Sequence, residues 1–283
     1  MMKQNFAVLG AGNGGQVIAA YLKLKGKQVT LYDRFSQVLE PIRRRGGIQL
    51  EGVSDTGFAK LELVTEDVPQ AVQGAEVIFV VLPAFAHAYV AQQLAGCLTD
   101  GQTVVVCPGA TGGAIWDRAG CTAKVRLCET NSLFYAARAS DGVATISGVK
   151  DELSLAALPA ADTRGIIDDL ADVYPQLIPA ANVLETSLNN MNTVVHPLPV
   201  LLNAGRIESG EQYRHYMDGI TPAIGDLIEQ MDQERLAVGR AYGLDILSLR
   251  DAYVHYYHVQ AEKMSDLCHL STAHAGKIGR AHV

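Results

Sequence analysis

The chain has 283 residues, 48% of them hydrophobic, which exceeds what one small domain needs for its core and favours two domains. A net charge of −7 and a pI near 5.6 exclude an electrostatic drive toward nucleic acid or an anionic membrane. Five cysteines, odd in number and without a CxxC pair, argue against a disulfide framework and a thiolate zinc site, and fit a reducing cytoplasm.

The first apolar run, 6–9, is short and breaks at glycines, so no signal peptide is expected. It reads as a buried strand that enters Gly10, Ala11, Gly12, Asn13, Gly14 and Gly15. Within that turn Gly10, Gly12 and Gly15 form GxGxxG. Val17, Ile18, Tyr21 and Leu22 then recur at helical spacing, and Gly26 is placed to end the helix. Residues 28–32 read as a second strand that ends at Asp33. The motif thus has its strand–turn–helix–strand context. The first glycine allows the tight turn, the second lets the backbone approach a pyrophosphate, and the third lets helix and strand pack closely. Backbone N–H groups at the helix start would hold the phosphates.

Asp33 is placed to accept the two ribose hydroxyls of an adenosine, which favours NAD. Arg34 follows it and would suit the 2′-phosphate of NADP, but the carboxylate would repel that phosphate, so NAD is the expected cofactor with NADP open. Residues 48–63 suggest short strands joined by turns, and 77–82 a parallel strand covered on both faces. Pro83 and Ala84 close that strand, and a helix is expected to about Leu98. This window is too short to span a bilayer. A strand over 103–106 leads to a second glycine-rich turn with Gly109, Gly112 and Gly113. In a doubly wound sheet ligands sit at the carboxyl ends of the strands, so both turns should face the cofactor.

Residues 125–128 read as a further strand, followed by ETNSLFYAAR, whose Arg138 ends an uncharged segment and suits either a substrate carboxylate or the open surface, and whose Tyr135 is a further substrate-binding candidate. A strand over 145–149 and a short helix over 166–170 come next, and Pro175 and Pro179 mark a linker. Beyond it the pattern turns helical. At the change stand Asn189, Asn190, Asn192, His196 and Pro197. An imidazole titrates near neutrality, which suits proton transfer, and a buried structural histidine with asparagine caps is the plain alternative. Residues 220–242 form a long amphipathic pattern, and Tyr253, Tyr256, Tyr257, His255 and His258 fall on a later helix. His255 and His258 lack a carboxylate or cysteine at matching spacing, so no metal site is expected. The last six residues, IGRAHV, match a peptide encoded by a common sequencing adapter, and the natural chain is expected to continue past Gly276 or Lys277.

GAGNGGQ, ETNSLFYAAR and NMNTVVHPLPVLLNAGRIE together resemble the octopine/nopaline (opine) dehydrogenase family from about Phe6 to His258. The most specific part is Asn192 with His196-Pro197. The resemblance implies a Rossmann-like doubly wound α/β sheet over 1–185 and an all-α, 6-phosphogluconate dehydrogenase C-terminal-like domain over 186–283, incomplete here. It implies NAD(P)H-dependent reductive condensation of an amino acid with a 2-oxo acid, with His196 as acid/base and Asn192 beside the substrate. The family's aspartate partner of the histidine and its carboxylate-binding arginine would lie past residue 283. Small-molecule substrates are the expected partners, and a homodimer is one assembly the sequence leaves open. The competing readings are a ketopantoate reductase or glycerol-3-phosphate dehydrogenase, which use a lysine on the helical domain, and a non-catalytic NAD-binding regulator. After Lys150 this chain has only Lys263 and Lys277.

Overall fold

The computed structural model describes residues 2–109 and 120–270. The chain divides into two compact units between Ser187 and Leu188. Gly112, Gly113 and the terminal hexapeptide lie outside the described residues.

The first unit is built on an eight-stranded sheet. Its strands are β1 (Asn5–Leu9), β2 (Gln28–Tyr32), β5 (Leu63–Thr65), β6 (Val77–Val80), β7 (Thr103–Val106), β8 (Arg126–Thr130), β11 (Leu153–Leu158) and β12 (Leu177–Pro179). They lie in the order β12-β11-β8-β7-β6-β1-β2-β5. Six are parallel, and β11 runs antiparallel to β8. From β5 to β8 this is the doubly wound order, with its reversal between β1 and β6, the place where such sheets bind ligands. Both faces are covered, and alternate residues serve each face. Phe6, Val8, Val77 and Phe79 enter one core, whereas Ala7, Leu9, Ile78 and Val80 enter the other.

The expected linker at Pro175 and Pro179 is corrected. Leu177–Pro179 pairs in parallel with β11 as the last strand of the sheet. Proline is tolerated there because an edge strand needs no outward N–H.

A second sheet of four strands, β3 (Ile48–Gly52), β4 (Gly57–Ala59), β9 (Tyr135–Ser140) and β10 (Val143–Val149), has the order β4-β3-β10-β9. Helix α1 (Asn13–Leu24) packs against it as well as against β1 and β2. Its residues 15–20 and Leu22 are buried, so no solvent face remains over its middle. Ser36–Arg45 (α2), Val68–Val72 (α3), His87–Ala95 (α4), Thr163–Leu170 (α5) and Val183–Leu188 (α6) complete the helices described in this region. Helix α4 ends three residues before the expected Leu98, and a 3₁₀ turn at Ala84–Ala86 precedes it.

The second unit is helical: Asn192–Val195 (α7), Pro197–Leu202 (α8), Ala204–Glu208 (α9), Pro222–Ala241 (α10), Leu249–Tyr257 (α11) and Met264–Leu270 (α12). Helix α10 starts with Pro222 at its first turn and the Thr221 hydroxyl accepting the Ile224 N–H. Its Gly225 lets α12 approach: a Cβ there would lie 2.8 Å from the Ser265 nitrogen. The small core joins Val194, Val195, Tyr216, Ile220, Ile228, Leu249, Tyr253, Met264 and Leu267.

A buried ion pair runs through this unit. Asp232 and Arg235 have side chains 3% and 5% exposed. Asp232 accepts the Leu249 N–H at 2.7 Å, and Arg235 donates to the carbonyls of Leu247 (2.6 Å) and Leu188. The pair thereby pins the start of α11 and the chain at Leu188 to α10. His258, expected on the later helix, instead caps α11 with φ 56°, one residue past its end.

Candidate active site

In the first unit the GxGxxG turn sits at the β1/β6 reversal. Strand β1 is too buried for anything but a tight exit, and Gly10 makes it with φ 109°. A Cβ on Gly10 would lie 2.3 Å from the Val81 carbonyl oxygen, and one on Gly15 would lie 1.7 Å from that of Gly10. Gly12 differs: it is exposed, and a Cβ there would meet nothing within 4 Å. Gly12 is also the N-cap of α1, which has no side-chain cap. The turn is therefore closed on its protein side and open on its outer side, beside uncapped helical N–H groups that suit a phosphate. These residues fit a dinucleotide.

Asp33 is 8% exposed and holds the turn from β2. Its carboxylate accepts the Ala11 N–H at 2.8 Å and the Phe35 N–H at 3.0 Å. Arg34 is exposed, with its guanidinium carbon 4.9 Å from the Phe35 ring centre and 5.1 Å from that of Tyr89 on α4. Pro83 and Ala84 are exposed on the turn after β6. That turn is fastened by His87, 1% exposed, whose Nε2 lies 3.0 Å from the Leu82 carbonyl; burial holds this imidazole below its usual range.

Asn13 ties the turn to the second sheet, its side-chain carbonyl accepting the Ala139 N–H at 2.8 Å. This brings the neighbouring Arg138, exposed on β9, to the α1 end. Arg138 forms no ion pair among the described residues and donates to the Ala137 carbonyl at 2.8 Å. Tyr135 is placed otherwise. It is 5% exposed and its ring packs with Tyr21 and Phe134 in the main core.

In the second unit His196 sits between α7 and α8, its N–H donating to the Asn192 carbonyl at 3.3 Å. Asn192 is exposed one turn earlier, where Asn190 accepts its N–H at 3.1 Å. The half-buried His196 ring has two neighbours that spacing along the sequence did not signal. Its Nε2 lies 2.6 Å from the Tyr216 hydroxyl, and the His215 ring stands edge-on with centres 5.4 Å apart. Burial, helped by His215, lowers the His196 imidazole to about 4, so the ring is neutral near pH 7. Burial also lowers His215 and raises Tyr216. Among the described residues no group of three or more His, Cys, Asp or Glu side chains could hold a metal ion.

Residues 179–280 match the family of the NAD/NADP octopine/nopaline dehydrogenase alpha-helical domain, and residues 6–110 match the ketopantoate reductase PanE/ApbA family. The opine dehydrogenase of Arthrobacter sp. (strain 1C) is 40% identical over 259 residues, which are 90% of this chain and 72% of that protein. The octopine dehydrogenase of Mizuhopecten yessoensis is 23% identical over 99% of this chain and 77% of its own. A solved octopine dehydrogenase in complex with NADH and agmatine shares the fold at a TM-score of 0.72 and 21% identity, over 99% of this chain and 76% of the other. No helix among the described residues is long and apolar enough to cross a membrane. A GxGxxG turn at the reversal of a doubly wound sheet, a histidine in Asn-x-x-x-His-Pro in a helical unit, and 40% identity across most of both chains lead to one conclusion: the chain belongs to the octopine/nopaline (opine) dehydrogenase family.

Proposed function

We propose that the protein condenses the amino group of an amino acid with a 2-oxo acid such as pyruvate and reduces the resulting imine, with His196 moving the protons. The observation that carries this reading is the 40% identity to an opine dehydrogenase along 90% of the chain. The attacking amine must lose a proton, and the hydroxyl of the carbinolamine must gain one before it leaves as water. The half-buried His196, which among the described residues meets the Tyr216 hydroxyl and the His215 ring, is the group assigned to both tasks. NAD(P)H, held by residues 10–15, would supply the hydride for the imine carbon. Asn192 and Arg138 are exposed donors for the polar ends of the substrates, and the core position of Tyr135 limits it to supporting β9.

Replacing His196 by Gln keeps the shape of the side chain and removes the titrating group. Turnover with the best amino acid and pyruvate should fall by roughly 10²–10⁴-fold while NADH affinity stays constant. Turnover within a few-fold of the parent overturns the assignment. Lys263, exposed just ahead of α12, tests the lysine-dependent rivals: Lys263→Ala should leave turnover unchanged.

A further inference from the structure

Strand β9 ends the second sheet, so the backbone groups on its outer edge have no strand to pair with. Two of them are taken by side chains. The Ala137 carbonyl accepts from the Arg138 guanidinium at 2.8 Å, and the Ala139 N–H donates to the Asn13 side chain at 2.8 Å. Asn13 is the first residue of α1 and lies in the GxGxxG turn, 126 residues earlier in the chain. The motif fixes the glycines around this position and asks nothing of its side chain. The edge of β9 therefore gives Asn13 a contact that the motif does not account for.

That contact decides how the amide is turned. A backbone N–H bonds only to an acceptor, and an asparagine side chain has one, its carbonyl oxygen. The oxygen thus faces β9, and the NH2 group faces away from it. Asn13 is exposed, and among the described residues its NH2 group has no partner. A helical Cβ tilts toward the N-terminus, so this side chain leans toward the open end of α1. There the N–H groups of Asn13, Gly14 and Gly15 precede the first bond of the helix, which Gln16 donates to the Gly12 carbonyl at 3.0 Å. Gly12 is open beside them, and the Arg138 guanidinium adds positive charge on the same strand edge. These groups are all donors, which suits an oxyanion.

We propose that the Asn13 side-chain amide donates to a phosphate oxygen of the dinucleotide, and that β9, by holding the amide's carbonyl, is part of the cofactor site. The inference rests on residues 10–15 holding NAD(P)H and is independent of the condensation chemistry. It adds one side-chain donor to the backbone N–H groups. The direction of that donor is set in advance by the Ala139 N–H, so little freedom is lost when the cofactor binds.

The test is NADH titration by fluorescence, together with the melting temperature of the cofactor-free protein, on two variants. Asn13 is exposed, so neither change disturbs the core. Asn13→Asp has the same shape and still accepts the Ala139 N–H. Its charge is favourable at a helix start, so it should melt at or above the parental temperature. It has no proton to give and repels phosphate, so NADH affinity should fall by roughly 10-fold or more, and by less at high salt. Asn13→Ala brings no charge but loses the donor, and its NADH affinity should fall about 10-fold, as for a hydrogen bond to a charged acceptor. A lost tie to β9 does not explain the first result, and repulsion does not explain the second; donation explains both. Parental NADH affinity in either variant overturns the proposal. A lowered melting temperature in Asn13→Asp also overturns it, because the carbonyl would then not be the group that β9 holds. Parental NADH affinity in Gly12→Val would instead overturn the placement of the cofactor in this turn, and unchanged turnover in His196→Gln would bear only on the condensation.

Discussion

The Asp33 carboxylate accepts the Ala11 N–H at 2.8 Å, joining the end of β2 to the turn that leaves β1. Asp33 is therefore part of the turn's own structure as well as a candidate for ribose. Asp33→Ala should weaken NADH binding and also lower the melting temperature, since a buried charge-assisted hydrogen bond is worth about 1.5–3 kcal/mol. Calorimetry of the cofactor-free protein separates the two effects: an unchanged melting temperature would restrict Asp33 to ligand contact.

The same carboxylate should make NAD the better cofactor, because its charge opposes the 2′-phosphate of NADP. Arg34 acts the other way, steadied over the Phe35 and Tyr89 rings. The expected order in kcat/KM is NADH above NADPH, and Arg34→Ala should reduce NADPH use more than NADH use. A clear NADPH preference in the unmutated protein would show that Arg34 outweighs Asp33.

Two of the motif glycines, Gly12 and Gly15, should respond differently to a side chain. Gly12→Val has open space around its Cβ and should fold normally while losing NADH binding. Gly15→Ala drives a methyl into the Gly10 carbonyl and should destabilise the fold itself. Thermal melts together with NADH fluorescence titration distinguish these outcomes. Parental NADH affinity in Gly12→Val would remove the pyrophosphate from this turn.

Stability should decline as the solution is acidified from about pH 6.5 toward 4. His196 is lowered from 6.5 to about 4, so the unfolded chain binds its proton first as pH falls. Its contribution, on the order of 3 kcal/mol, is complete above the unfolded value and disappears as pH falls through the folded one. His87 and His215 are shifted in the same direction and add to the slope. Denaturant midpoints at several pH values measure it, and His196→Gln should flatten the curve. An identical slope in that variant would place the acid sensitivity elsewhere.

The Asp232–Arg235 pair predicts a severe lesion away from the chemistry. Arg235→Met leaves the Asp232 carboxylate buried without its cation, at a cost of about 3–5 kcal/mol. The second unit should melt earlier, while Rossmann-side NADH binding persists. A loss below about 1 kcal/mol would show that water reaches the carboxylate.

What the sequence revealed depended on local pattern. The strand–turn–helix–strand of residues 6–33 was legible because glycines, helical spacing and the terminal acid fall within one short window. Leu177–Pro179 was not, since its prolines suggest a linker and only pairing with β11 makes it a strand. The burial of Asp232 and Arg235 was not legible in the amphipathic pattern of 220–242, because it depends on contacts with the Leu247 carbonyl and the Leu249 N–H from the following segment. Tyr135 adjoined a motif, yet strand alternation turned it into the core. Tyr216 lies twenty residues from His196, so nothing local could link them.

Helix α1, enclosed by two sheets over residues 15–22, has a consequence for how the glycine turn of residues 10–15 behaves in time. Amide hydrogens there can exchange with solvent only when both coverings open, so they should be among the slowest in the first unit. The turn is welded to that helix through Gly15 and to β2 through Asp33, and so begins already in its working shape. Little conformational entropy remains to be lost when a dinucleotide arrives. Exchange protection at residues 15–22 should accordingly be nearly the same with and without NADH.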